Sequence, residues 1–271
     1  MANINYVTGA GGFLGSYLTK IKQFENIVAI PHKKISTFKL KSFDKLFFLS
    51  SYGNMFFQTN DHKTIQANLL DLIYILEEAV KHKFESFVYM SSSSVKLPVQ
   101  SMYSRAKKAA EEILLGYMDK YNLPICIVRP TTIYGPGEQP QHLIPTILQS
   151  CFKGTEMPFV KEPAHDFVFV EDVVNGIIKL SEQSTKGIIE LGTGIETSNQ
   201  EVLELVQKCT GYKANVRLVE SMRPYDNKHW KVNNLEVKKI GLNNYTTLKD
   251  GLKITIKDYL TNNAITGIIE Q

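Results

Sequence analysis

Cysteine is scarce. The 271-residue chain has three, Cys126, Cys151 and Cys209, widely spaced and without a CxxC pair. That excludes a disulfide scaffold and reads as reduced cytosolic thiols, two of them core residues. The six histidines do not cluster with them, so no metal site is expected. With 17 glycines and 10 prolines, collagen and low-complexity disorder are excluded. Charge of one sign is also missing: 31 basic against 27 acidic residues leaves +4, with no concentrated basic run. Nucleic acid and anionic membrane surfaces are therefore not expected partners. No apolar stretch approaches the roughly 20 residues of a membrane span, and the start, Met1-Ala-Asn-Ile-Asn-Tyr-Val, carries no basic and apolar leader. The expectation is a soluble, cytoplasmic protein.

What is present is 43% hydrophobic residues in a chain long enough to bury a substantial core. Short apolar runs at 4–8, 26–30, 45–50, 87–90 and 125–129 alternate with helical patterns from Phe13, over 62–82 and over 103–121. On the middle pattern Leu69, Leu72, Ile73, Leu76 and Ala79 share a face. Such alternation predicts βαβ units and a parallel sheet. Five prolines (136, 140, 145, 158, 163) then break it with loops and one helix over 142–152. A strand at 167–170, a helix from Glu171 and a strand at 188–191 follow. The tail from about Thr197 reads as two or three helices and a short strand. Ligands of such sheets bind at the carboxyl ends of the strands.

Two motifs carry chemistry. Thr8-Gly-Ala-Gly-Gly-Phe-Leu-Gly15 follows the first strand and opens a helix. Gly9 allows the tight turn, Gly12 lets backbone approach a diphosphate, and Gly15 lets helix and sheet pack closely, with Phe13 and Leu14 beginning the helix. The fold class expected is α/β, a Rossmann-type doubly wound parallel sheet with a smaller C-terminal substrate-binding lobe. Residues 1–134, with 166–196 returning to them, would form the dinucleotide-binding core; 135–165 and 197–271 would form the lobe. The second motif is Tyr103-Ser-Arg-Ala-Lys107. At i and i+4 the phenol and ammonium share a helix face, and the cation is expected to lower the phenol's pKa toward use as an acid or base. Ser91 to Ser94, at a strand end before it, offer a hydroxyl for the same substrate oxygen.

These motifs, with Arg129-Pro-Thr-Thr-Ile-Tyr-Gly-Pro-Gly137, Asp166-Phe-Val-Phe-Val-Glu-Asp172, Gly192-Thr-Gly194, Arg223-Pro224 and Leu248-Lys-Asp-Gly251, resemble the extended short-chain dehydrogenase/reductases. The likeness is to their NAD-dependent epimerase/dehydratase group, which modifies nucleotide sugars. It spans about residues 3 to 260. It implies a catalytic trio of Ser92, Tyr103 and Lys107, with Ser91 and Ser93 as alternatives to Ser92. Tyr103 would exchange a proton with a sugar oxygen that Ser92 orients, while the nicotinamide exchanges a hydride at the same carbon. Lys107 would hold the cofactor ribose and polarise the phenol. Leu49, Ser50 and Pro130 would line the cofactor; Ser93, Thr132, His165 and Arg223 would meet substrate. His165 stands where the family often has Arg, Thr132 where it often has Asn, and Glu190 where it has Asn. As a loop residue His165 needs no such role. Asn68 resembles a supporting Asn, or is a cap or surface residue.

Departures narrow the reaction. Family dehydratases place Asp-Glu after the catalytic hydroxyl and decarboxylases a Glu; here Ser93-Ser94 cannot act as the carboxylic acid or base. A 4-epimerase or 4-ketoreductase needs only the trio and cofactor. Only Lys96–Met102 links Val95 to Tyr103, shorter than the family's loop. At the end of the second strand, where NAD proteins carry an acid, stands Pro31-His32-Lys33-Lys34. His32 and Lys33 are cofactor candidates, and the lysines favour NADP over NAD unless they are simply solvated. Family members often dimerise through the helices at 62–82 and 103–121, so a homodimer is expected, although a core role explains the same apolar residues. The rival from another class is a non-catalytic dinucleotide-binding sensor or scaffold.

Overall fold

A computed structural model describes residues 4–21, 24, 26–220, 229–239 and 241–262. The first half runs β1 (Asn5–Thr8), α1 (Phe13–Leu18), β2 (Ile27–Ile30), β3 (Lys45–Phe48), α2 (Asp61–Ile65), α3 (Asp71–Ala79), β4 (Ser86–Met90), α4 (Met102–Tyr121) and β5 (Ile125–Pro130). Then come β6 (Thr132–Tyr134), α5 (Leu143–Lys153), β7 (Met157–Phe159), β8 (Ala164–Phe169), α6 (Val170–Glu182) and β9 (Gly187–Leu191). The tail holds β10 (Glu196–Ser198), α7 (Asn199–Thr210), β11 (Val216–Leu218), β12 (His229–Trp230), α8 (Leu235–Lys239) and α9 (Leu248–Asn262). Among the described residues no helix is long and apolar enough to cross a membrane.

Six parallel strands make the central sheet in the order β2-β1-β3-β4-β5-β9. Both faces are covered, so the strand interiors are near-continuous apolar runs whose period of two sorts them between layers. Tyr6, Leu46, Phe48, Phe87, Tyr89, Ile125 and Ile127 pack with Leu72, Ile75 and Leu76 of α3 and Ala110 and Leu114 of α4. Their neighbours Val7, Phe47, Val88, Cys126 and Val128 pack with Leu18 of α1 and Val173, Val174 and Ile177 of α6. This is a Rossmann-like, doubly wound arrangement.

Two departures bear on the site. The helical pattern predicted over 62–82 is one path over 61–79 broken by a π turn, Gln66–Leu70, between α2 and α3. The turn buries Asn68 completely. Second, the usual dinucleotide-binding order places a further strand outside β2, whereas here β2 is the edge, as in the other common doubly wound order. No α-helix joins β2 to β3. Residues 31–44 cross with a single 3-10 segment, His32–Thr37, whose Ile35 is buried and which packs against α3.

The remaining elements form a second cluster. β8 pairs with β6, β10 and β12, and β7 with β11. Tyr134, Phe159, Phe167 and Phe169 pack there with Ile147 and Leu148 of α5, Val202 and Val206 of α7 and Leu252 and Ile256 of α9. β8 begins at Ala164 and lies in this second sheet, while α6 and β9 return to the central one.

Helix α1 sits so close to the preceding turn that a side chain at Gly15 would place its Cβ 2.1 Å from the Gly9 carbonyl oxygen. Backbone cannot rotate aside as a side chain can. Gly15→Ala is expected to cost about 1–3 kcal/mol, read as a lower urea midpoint; an unchanged midpoint would contradict this packing.

Candidate active site

The glycine turn lies at the carboxyl end of β1. Gly9 has φ +69°, and a Cβ there would meet the Ser50 backbone nitrogen at 2.8 Å. Thr8 locks the turn to the end of β3: its Oγ1 accepts from the Leu49 and Ser50 N–H groups, each at 3.1 Å, and from the Ser50 hydroxyl at 3.0 Å. The Ser50 hydroxyl is therefore spent on the scaffold. Gly11 is open, with nothing within 4 Å of where its side chain would be, and Gly12 caps α1. Bare backbone ahead of free helix N–H groups fits a diphosphate. Phe13 and Leu14 are half-buried and pack toward the second cluster. Pro130 is buried as the last residue of β5.

Each of the four serines after β4 has its own partner. Ser91 is buried and donates to Glu111 Oε1. Ser93 accepts from the Trp230 indole N–H at 2.7 Å, and Ser94 from the Ser104 hydroxyl at 2.9 Å. Ser92 is the one that meets the Tyr103 hydroxyl, while its Oγ also caps the next turn by accepting from Ser94 N at 3.2 Å. Ser92 is extended, and the chain then winds into a 3-10 turn over Ser93–Lys96, which separates the four roles. Tyr103 is also hydrogen-bonded to Ser51, whose hydroxyl donates to Asn68 Oδ1 at 3.1 Å. Asn68 donates in turn to the Tyr52 and Thr64 carbonyls at 2.6 and 2.8 Å. It is an interior brace for Ser51, not a cap or surface residue.

Lys107 is 1% exposed. Its ammonium donates to the Met90 carbonyl at 2.7 Å and lies 4.7 Å from the Tyr89 ring centre and 5.9 Å from that of Tyr103. Burial drives its pKa down to about 7, against the upward pull of Glu111 one turn along α4. Burial likewise raises the Tyr103 phenol, which the Ser51 and Ser92 hydroxyls draw partly back. The expectation that Lys107 lowers the phenol is thus overturned: desolvation governs both groups. Glu111, itself buried, is held bidentate by Arg129 through Nε at 2.9 Å and Nη2 at 2.5 Å.

On the other side of the mouth, Thr132 Oγ1 and His165 Nδ1 are 3.2 Å apart, and the His165 and Trp230 rings 5.2 Å apart. Ser93, Trp230, His165 and Thr132 therefore form one wall. Arg223 lies outside the described residues. Sequence reasoning missed Glu111 and Trp230. Glu111 had a readable signal, four residues beyond Lys107; Trp230 had none, because only the pairing of β12 with β8 sets it beside His165. At the sheet edge, His32 and Lys33 are exposed, and the His32 Nδ1 lies 3.6 Å from Asp71 Oδ2. An acid does reach the end of β2, from α3 and not from the strand itself. Among the described residues no three metal-ligating side chains converge.

A profile described as the NAD dependent epimerase/dehydratase family matches residues 44–192. An Arabidopsis thaliana trifunctional UDP-glucose 4,6-dehydratase, 3,5-epimerase and reductase is 27% identical over 59% of this chain. The chain spans about a quarter of that enzyme's length, 24%. An uncharacterized UDP-glucose epimerase of Bacillus subtilis is 24% identical, over 91% of this chain and 94% of that one. Among solved structures, MoeE5 with UDP-glucose and NAD superposes with TM-score 0.88 at 24% identity, covering 97% of this chain and all, 100%, of that one. A Pseudomonas aeruginosa protein complexed with NADPH superposes with TM-score 0.81 at 19% identity, covering 96% and 100%. At these identities the structures share the fold.

The Lys107 environment predicts a pH signature. An unfolded lysine keeps its proton to about pH 10.5, and the folded one yields it near 7. Between those values the unfolded chain binds more protons, so this group adds stability as pH rises. The stability of the wild type relative to Lys107→Met is expected to grow by about 2–3 kcal/mol from pH 6.5 to 9.5, measured by urea unfolding. A constant difference would mean an ordinary, solvated ammonium.

Proposed function

The chain belongs to the NAD-dependent epimerase/dehydratase family, and from that premise we propose that it transfers hydride at a carbon of a nucleotide-diphosphate sugar, as a 4-epimerase or 4-ketoreductase. The observation that carries the reading is the meeting of Ser92 with the Tyr103 hydroxyl beside a buried Lys107. In this reading Tyr103 takes or returns the proton of the sugar oxygen, and Ser92 orients that oxygen by hydrogen bonding. Lys107 keeps a cation within reach of the phenol and of the cofactor ribose, anchored on Met90. A dinucleotide, when bound, supplies the hydride donor and acceptor. Gly9, Gly12 and Gly15 would cradle its diphosphate with the N–H groups of Phe13 and Leu14, while Leu49, Ser50 and Pro130 would line its path.

The positions after Ser92 support hydride transfer over elimination. Ser93 and Ser94 carry no carboxyl group, and both hydroxyls are engaged, with Trp230 and Ser104. Ser93, Thr132, His165 and Arg223 would hold the nucleotide sugar, with Trp230 as a flat wall. Lys33 and His32 would meet the adenosine end of NAD or NADP. The three unpaired thiols, two of them buried, fit a reducing cytoplasm.

Tyr103→Phe is expected to lower turnover by about 10²–10⁴-fold while leaving binding intact, the latter read from quenching of Trp230, the chain's one tryptophan. Full turnover by the variant would sink the mechanism. Nucleotide released on denaturation separates the two reactions: retained NAD marks an epimerase that recycles its hydride, and an empty protein that takes up NADPH marks a reductase. Tight cofactor binding with no turnover on any sugar nucleotide would favour the sensor or scaffold.

A homodimer through α3 and α4 is also proposed. Tyr74 on α3 and Ile113 and Tyr121 on α4 are exposed, as is Leu70 just before α3. Light scattering is expected to give twice the chain mass, and Tyr74→Glu to halve it; a monomeric wild type would refute this.

A further inference from the structure

The residues that follow β2 leave the adenosine end of a bound dinucleotide without its usual reader. Proteins of this architecture place a carboxylate at the end of the second strand to accept from the adenosine ribose hydroxyls, and Pro31-His32-Lys33-Lys34 follow here. The direct crossing from β2 to β3 supplies a replacement. Because residues 31–44 cross directly over the sheet, the 3-10 segment that begins at His32 packs against α3 and brings the imidazole to that helix's first residue, Asp71.

Asp71 is an unusual carboxylate for a helix start. Its side chain is 5% exposed, and its Oδ1 accepts from Gln66 Nε2 at 2.6 Å. Its Oδ2 is buried without a hydrogen-bond partner and lies 3.6 Å from His32 Nδ1. A buried carboxylate oxygen without a donor is costly, so such atoms mark a place where a donor arrives. The donor at hand is His32, which is 67% exposed and free to rotate. With its proton held on Nδ1 toward Asp71, the imidazole presents the Nε2 lone pair outward, an acceptor like the missing carboxylate.

We propose that Asp71, acting through His32, reads the adenosine ribose in place of the acid absent from β2, and selects a dinucleotide with a free 2′-hydroxyl. The inference rests on reading these strand ends as a dinucleotide site. His32 Nε2 accepts from a ribose hydroxyl. A 2′-phosphate brings only acceptors and negative charge against a lone pair backed by a carboxylate. His32 touches the ribose; Asp71 is a positioning residue. Lys33 and Lys34 then serve as solvated charges, not as phosphate ligands.

Calorimetric titration of the full chain, cleared of co-purified nucleotide, with NADH and with NADPH tests this without any sugar substrate. The wild type should bind NADH at least about tenfold more tightly than NADPH. His32→Ala and Asp71→Asn should each weaken NADH about tenfold and leave NADPH within about twofold, and the double variant should be no worse than either single one. His32→Ala, at an exposed side chain, keeps the test open should Asp71→Asn unfold. A wild type that prefers NADPH overturns the proposal. So do variants that keep the wild-type ratio, or that weaken both dinucleotides alike with a lowered melting temperature, as a merely structural Asp71 would. Failure of the wild type to bind either dinucleotide overturns the functional reading itself, a distinct result.

Discussion

The desolvation of one ammonium group sets the terms for everything around it. Lys107 is inside the protein, and an ion there is tolerated only where fixed dipoles and opposite charge replace water. The Met90 carbonyl, the Tyr89 ring and the field of Glu111 supply that replacement. Glu111 cannot stand alone at such depth either, which accounts for the bidentate Arg129 and the Ser91 hydroxyl. One cation thus recruits a chain of partners across α4, β4 and β5, and the identities of Ser91, Glu111 and Arg129 follow from it. The gain is an ammonium poised near neutrality, whose charge responds to small changes in its surroundings.

The phenol obeys the same rule with opposite sign. Burial favours neutral Tyr103 as it favours neutral Lys107, so neither group is an active acid or base by proximity alone. What biases Tyr103 toward ionisation is the pair of hydroxyls at its oxygen, Ser51 and Ser92, and Ser51 is held by Asn68 in the π turn. An irregular helical turn far from the phenol in sequence thereby bears on its chemistry, in keeping with the frequency of π turns at functional sites.

The sequence was legible where the relevant contacts are local. Gly9, Gly12 and Gly15 belong to one turn, and Tyr103 and Lys107 to one helix face, so spacing alone exposed them. The layered parallel sheet was legible for a similar reason, since period-two and helical patterns report the burial of single elements. Legibility ended where one element meets another. Nothing around position 71 shows that its carboxylate will face His32, and nothing around position 230 shows that an indole will touch Ser93; both depend on how strands are ordered and paired. The phenol's pKa was misjudged because charge proximity can be read from spacing, whereas burial depends on the whole fold.

The edge position of β2 has a consequence for the molecule's behaviour in a crowded solution. An outermost parallel strand presents unpaired N–H and C=O groups, a template on which a second chain can extend the sheet. Here that strand is only four residues long, Ile27–Ile30, with Val28 37% exposed. Pro31 follows at once and removes a donor, and Lys33 and Lys34 set two positive charges beside the end. These are the devices that keep open sheet edges from adhering to one another. The same tetrapeptide that carries no carboxylate at the strand end thus guards the sheet against uncontrolled growth.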